Sequence, residues 1–300
     1  MKFDHNETLE QARERNIRDA LAEDLGVCDW TGLLVDPARR VRAHVRVREE
    51  AVLCGRDWFA GTLLALDPQA QVAWAYDEGG RMRADTPVCR IEANARALLA
   101  AERPALNFLQ LLSATATLTQ VYVQAVAGAS PNPRGCAVLD TRKTMPGLRQ
   151  AQKYAVRVGG GANQRSALHD GILIKENHIA ASGGLAAALR GARALNAGVP
   201  IQVEVETLDQ LQEVLAEGAT SVLLDNFNEA GMRAAVALTA GRALLEVSGG
   251  VGLDQMRSIA ATGVDRISVG RLTKDVRAVD YSMRFDSADA GPPELPRLGG

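Results

Sequence analysis

IQVEVETLDQLQEVLAEGATSVLLDN, residues 201–226, reads as a strand, a helix and a second strand in succession. Ile201, Val203 and Val205 alternate with Gln202, Glu204 and Glu206 at the period of a pleated strand. LDQLQEVLAEG then carries apolar residues at helical spacing, and SVLLDN returns to a short apolar run. A strand, a crossover helix and another strand make the unit of a parallel sheet.

The same texture extends outward from Ala137, through the strand candidates AVLD, GILIKEN, ALLEVSGG and DRISVG and the helix candidates GGLAAALRGARALNAG, AGMRAAVALTAG and LDQMRSIAATG. The last four strand starts recur about every 21 residues, the length of a strand, a loop and a three-turn helix. An open doubly wound sheet and a barrel both satisfy that alternation. The polar residues favour the barrel: Asp140, Lys175, Glu204, Asp225, Glu246, Ser248 and Ser268 lie near the C-terminal ends of the strands, where a barrel gathers its site. Six units are visible against the usual eight, so the expected barrel is incomplete over residues 116–271.

Residues 1–115 read as a separate, smaller α/β domain. Leu9 to Leu25 is an amphipathic helix, VRAHVRVRE is a half-exposed strand, and AVLCGRDW, QVAWAYDEGGRM and TPVCRIEANA are short strands between turns. A long helix is expected from Pro104 to about Gly128, opened by a proline whose missing N–H does no harm in a first turn. DSADAGPPELPRLGG suggests a disordered tail over 287–300.

Apolar residues make up 47% of the 300, enough for a substantial core, and the formal charge of -2 gives no support for nucleic-acid binding. Four cysteines without a CxxC pair suit a reduced, cytoplasmic setting. The charged N-terminus lacks a secretory apolar core, and no run reaches the ~18 apolar residues of a membrane span.

A lone charge at a strand end is more often a satisfied rim group than a catalyst. Here the charges are numerous and of both signs. Glu204 and Asp225 could hold Mg²⁺ or sugar hydroxyls, while Arg142, Lys143, Arg165 and Lys175 imply a multiply anionic ligand. EVSGGVG (246–252) and SVGRLTK (268–274) follow the last strands with small residues that open backbone N–H groups to a phosphate. Dinucleotide, P-loop and zincin motifs are missing.

ERPALNFLQLLSATAT, LDTRKTMPGLRQAQKYAVRVGGGANQR, LIKENHIAASGG, VEVE, LLDNF, EVSGGV and GVDRISVGRLT together resemble the quinolinate phosphoribosyltransferase family, in order and from near residue 15 to near 285. The resemblance implies an N-terminal α/β sandwich domain, completed by about 272–286 after the chain leaves an open α/β barrel. It implies transfer of phosphoribosyl from phosphoribosyl pyrophosphate to quinolinate with Mg²⁺, giving nicotinate mononucleotide, pyrophosphate and CO₂. Arg103, Arg142, Gln164, Arg165 and Lys175 become quinolinate ligands. Lys143, Glu204 and Asp225 become the catalytic and phosphoribosyl pyrophosphate group, with both acids toward the metal and Lys175 serving both substrates. Ser248, Gly249, Gly250 and Gly270 take the 5′-phosphate, with Lys274 as a further cation. The implied assembly is a homodimer with shared sites, in which Arg103 acts on the other subunit's barrel; higher oligomers stay open.

Two departures stand out. Many members read NHR where this chain has Asn163-Gln164-Arg165, and many carry a histidine in the turn that here reads Leu272-Thr273-Lys274-Asp275. Three rival readings remain: a paralogue on the same scaffold, an aldolase using Lys175 as a Schiff base, and a non-catalytic phosphometabolite binder. None explains why the basic and acidic sets occur together.

Overall fold

The computed structural model describes residues 6–286; the 287–300 segment read as a disordered tail lies outside the described residues, as do residues 1–5. The chain forms two compact units. One takes the described residues of Met1–Leu118, Met145–Gly159 and Val276–Gly300, and the other Thr119–Thr144 and Gly160–Asp275.

The first unit opens with α1 (Leu9–Leu25), started by a reciprocal cap: Gln11 N donates to Thr8 Oγ1 and Thr8 N to Gln11 Oε1. Its limits are those expected from the periodicity. Then come β1 (Arg40–Val47), β2 (Ala51–Val52), α2 (Arg56–Leu66), β3 (Gln71–Trp74), β4 (Arg81–Met82), β5 (Thr86–Asn94) and α3 (Ala95–Val126). Along β1 the alternation is real: Ala43, Val45 and Val47 are buried while Arg40 and Arg42 are exposed. The buried residues join Phe59 and Leu63 of α2 with Leu98, Leu106 and Leu109 of α3 in one core. Each valine, leucine or phenylalanine among them contributes about 1.5–3 kcal/mol by leaving water.

α3 corrects one expectation. It begins at Ala95, not Pro104, which lies inside the helix. The start is set by Asn94, whose Oδ1 accepts from Arg96 N (3.0 Å) and Ala97 N (3.2 Å). A side-chain cap of this kind satisfies the first orphan donors.

The second unit is built on β6 (Ala137–Leu139). Next in the chain is α4 (Arg149–Val158), which packs Ala151 and Ala155 against Ile17 and Trp58 of the first unit's core. The second unit then continues through β7 (Ile172–Ile174), α5 (Glu176–Ala181), α6 (Leu185–Ala194), β8 (Ile201–Val205), α7 (Leu208–Ala216), β9 (Ser221–Asp225), α8 (Glu229–Thr239), β10 (Leu244–Ser248), α9 (Met256–Ala260), β11 (Arg266–Ser268) and α10 (Arg271–Lys274). Six strands pair in parallel in the order β6-β11-β10-β9-β8-β7. β6 and β7 are its two edges, which is the geometry of an open barrel; beyond β6, Leu139 bridges to Ala162. Because all six strands run the same way, their C-terminal ends share one side of the sheet.

The chain then returns to the first unit as β12 (Tyr281–Phe285), antiparallel to β1, which completes the sheet β12-β1-β5-β3 beside the pair β2-β4. No helix among the described residues is long and apolar enough to cross a membrane.

Candidate active site

Lys175 follows β7 and caps α5, and its Nζ donates to Glu204 Oε2 at 2.6 Å. The lysine side chain is 47% exposed and the carboxylate 13%, so the pair sits at the rim with one partner in water. Asp225, at the end of β9, belongs to the same field. Its carboxyl is pushed above the usual range by partial burial and then by the Glu204 charge, with Lys175 and Lys143 pulling the other way. Lys143 is fixed through its backbone and stem. Thr273 Oγ1 of α10 donates to Lys143 O (2.7 Å), and a Cβ at Gly270 would come within 3.2 Å of Lys143 Cδ.

Arg142 and Arg165 form a second cationic group. Partial burial and then the Arg142 charge hold the Arg165 guanidinium below its usual pKa, and its NH1 donates to Gly171 O at 2.8 Å. Two cations set close together favour an anion between them.

Below this rim lies a closed polar layer. Glu246 of β10 is only 1% exposed, and its carboxylate accepts from Gln164 Nε2 (2.8 and 3.0 Å), Gln202 Nε2 (2.9 Å) and Ser268 Oγ. Asp140, fully buried, accepts from Asn163 Nδ2 (2.6 Å) and Gln164 N (2.9 Å). Buried acids of this kind persist because donors replace the water they lost.

The loops after β10 and β11 are the anion-ready part. Gly249 and Gly250 have φ of +110° and +60°, and a Cβ at Gly249 would collide with Asn226 Oδ1, so this turn after Ser248 needs glycine. Lys274 is paired: its Nζ donates to Asp275 Oδ1 at 2.9 Å, and Arg271 lies 3.8 Å from the same carboxylate. Arg103 is exposed on α3, in the first unit. A cavity of about 520 Å³ at the opposite, N-terminal end of β10 does not compete as the site. Its acid, Asp265, already accepts from Asn132 Nδ2, Arg134 NH2 and Leu245 N.

Residues 115–284 match the model of the quinolinate phosphoribosyl transferase C-terminal domain, and residues 29–113 that of its N-terminal domain. The chain belongs to the quinolinate phosphoribosyltransferase family. It is 42% identical over 282 residues to the nicotinate-nucleotide pyrophosphorylase [carboxylating] of Mycobacterium leprae, covering 91% of this chain and 96% of that one. It is 37% identical over 262 residues to a probable enzyme of the same name from Bacillus subtilis, covering 87% and 89%. The nicotinate-nucleotide pyrophosphorylase structure from Francisella tularensis superposes with a TM-score of 0.87 at 39% identity, covering 95% of this chain and all of that one.

For this quinolinate phosphoribosyltransferase chain the structure brings together Lys143, Lys175, Glu204 and Asp225, sets Arg142 beside Arg165, and leaves Gln164 facing the barrel interior. In the sequence Glu246 and Ser268 are strand-end residues and Gln202 is one of an alternating set, and no local pattern gives any of them a role beside the site. Their signal was weak: a polar residue on a barrel strand reads the same whether it faces substrate or a neighbouring strand.

Proposed function

We propose that this protein transfers the phosphoribosyl group of phosphoribosyl pyrophosphate to the ring nitrogen of quinolinate, with loss of CO₂, giving nicotinate mononucleotide and pyrophosphate. The observation that carries the reading is the pairing of opposite charges on one strand-end face, with Lys175 on Glu204 and Asp225 and Lys143 beside them, in a chain of this family.

Arg142, Arg165 and Lys175 hold the two quinolinate carboxylates, joined by Arg103 from the second subunit of a homodimer. Lys143 takes the pyrophosphate, and the Ser248–Gly250 turn and Gly270 take the 5′-phosphate. Lys274, already held by Asp275, is at most an auxiliary cation there. As pyrophosphate leaves, positive charge grows on ribose C1, and the Glu204 and Asp225 carboxylates stabilise it. No protein nucleophile is required. Attack by the ring nitrogen makes a pyridinium, which draws electrons from the C2 carboxylate so that CO₂ departs and C2 takes a proton.

Glu204 and Asp225 also suit Mg²⁺, which takes one or two carboxylates and fills its shell with water and substrate phosphates. No group of three or more His, Cys, Asp or Glu side chains that could hold a metal ion occurs among the described residues. A Mg²⁺ held by these two carboxylates would neutralise the pyrophosphate charge.

The test is to incubate the protein with quinolinate, phosphoribosyl pyrophosphate and Mg²⁺ and assay nicotinate mononucleotide and CO₂. Nicotinate in place of quinolinate should react at least about thirtyfold more slowly, because a cation loses its partner in a desolvated site. Comparable turnover of nicotinate would overturn the assignment of the cations.

A further inference from the structure

Gln164 adjoins Arg165, yet its side chain turns away from the rim. Its Nε2 donates to Gln202 Oε1 (2.8 Å) and to the Glu246 carboxylate (2.8 and 3.0 Å), and its Oε1 accepts from Arg165 N (2.8 Å). A carboxamide has two donor hydrogens, so both are engaged within the barrel. The backbone on either side is tied as well. Gln164 N and Asn163 Nδ2 both donate to Asp140, so residues 163–165 are anchored on two buried acids, Asp140 and Glu246.

Arg165 needs such an anchor, because Arg142 lies near enough for its charge to act on it. Two guanidinium groups repel each other until an anion arrives, and holding them apart in readiness requires a fixed backbone. Gln164 is chemically suited to the task. Leucine would leave Glu246 and Gln202 short of a donor, and glutamate would set a second carboxylate against Glu246.

We propose that Gln164 is a positioning residue that sets Arg165 for a substrate carboxylate by bridging the buried Glu246 to the Arg165 backbone, without touching quinolinate itself. This rests on the assignment of Arg165 as a quinolinate ligand.

The experiment is steady-state kinetics of the full chain with both substrates varied. Gln164→Leu should raise the quinolinate KM at least about fivefold, the lower end of the effect of an unpaired buried polar group. The phosphoribosyl pyrophosphate KM should move less than about twofold, since the bridge leads to the backbone of Arg165, a quinolinate ligand. If the leucine variant fails to fold, Gln164→Met, of similar length and without hydrogen-bonding atoms equal to the amide, gives the same reading. Gln164→His, which can donate to Glu246 and accept from Arg165 N through its two ring nitrogens, should stay within about threefold of wild type. In an Arg165→Ala background, Gln164→Leu should add less than about twofold, because a residue acting only through Arg165 has nothing left to position. Ser268→Ala removes another donor from the same carboxylate and should lower thermal stability while leaving both KM values within about twofold.

Three results would overturn the proposal: full additivity with Arg165→Ala, which means that Gln164 contacts substrate; equal rises in both KM values; or a Ser268→Ala effect on quinolinate as large as that of Gln164→Leu. Failure of the underlying assignment looks different. Arg165→Ala alone would then leave the quinolinate KM unchanged.

Discussion

The rim of the barrel and the layer beneath it use the same kinds of residue to opposite ends. At the rim, Lys175 and Glu204 pair at 2.6 Å with the lysine 47% exposed, so water or a substrate anion can compete for the ammonium. One layer down, Glu246 at 1% exposure takes donors from three side chains on different segments. The exposed pair can exchange partners at little cost, because screened ion pairs are worth only about 0–1 kcal/mol. The enclosed acid cannot, because its donors would lose a buried acceptor. Charge that can be re-partnered suits binding and catalysis, and charge that cannot suits the scaffold.

The largest effect that would break this contrast lies at the rim. Lys175→Ala should cut kcat/KM at least about a hundredfold while leaving the melting temperature nearly unchanged, since the lost cation serves substrate rather than the fold. The proposed homodimer with shared sites adds a second readout. Co-refolding with Arg103→Ala should restore at most about a quarter of wild-type activity per subunit through heterodimers that own one intact site. A folded Lys175→Ala enzyme with normal kinetics would reduce the rim pair to a surface salt bridge.

Beneath the rim the order should reverse. Glu246→Ala takes the acceptor from Gln202 and Ser268 and one of the acceptors from Gln164, an expected loss of about 3 kcal/mol or more in folding stability. Glu204→Gln at the rim should change stability by less than about 1 kcal/mol. Denaturant titration of the two variants measures both, and equal losses would erase the distinction.

The smallest effect sharpens it. Partial burial and Glu204 raise the Asp225 pKa in the folded chain. Such a carboxyl binds its proton more tightly folded than unfolded, so its contribution to stability is complete below the ordinary carboxylate range and is lost as pH rises through the raised value. Asp225→Asn never ionises and should therefore melt higher than wild type at pH 7, by less than about 4 °C, while losing activity. The two melting curves should converge in acid; a lower melting temperature at pH 7 would mean that Asp225 serves the fold.

The site was only half legible in the chain. Lys143, Lys175, Glu204 and Asp225 stood out because each closes or follows a strand that its own periodicity announced. Gln164 did not, because its partners Gln202 and Glu246 lie 38 and 82 residues away, and no local pattern says whether an amide faces ligand or barrel wall. The start of α3 was missed for a nearer reason: Asn94 caps it, but Pro104 is the stronger local signal and drew the boundary.

What the sequence determined by itself is the alternation of strand and helix, hence a parallel sheet with its polar ends on one side, and the presence of two acids among four cations. These follow from periods of about two and 3.6 residues, which act within a single element. Only the tertiary structure decided that β6 and β7 stay unpaired with each other, that Lys175 reaches Glu204 while Lys274 is held by Asp275, and that Glu246 is sealed beneath the site. Those outcomes depend on which strands become neighbours when the sheet curls, and on which donors then lie within about 3 Å of a buried acid.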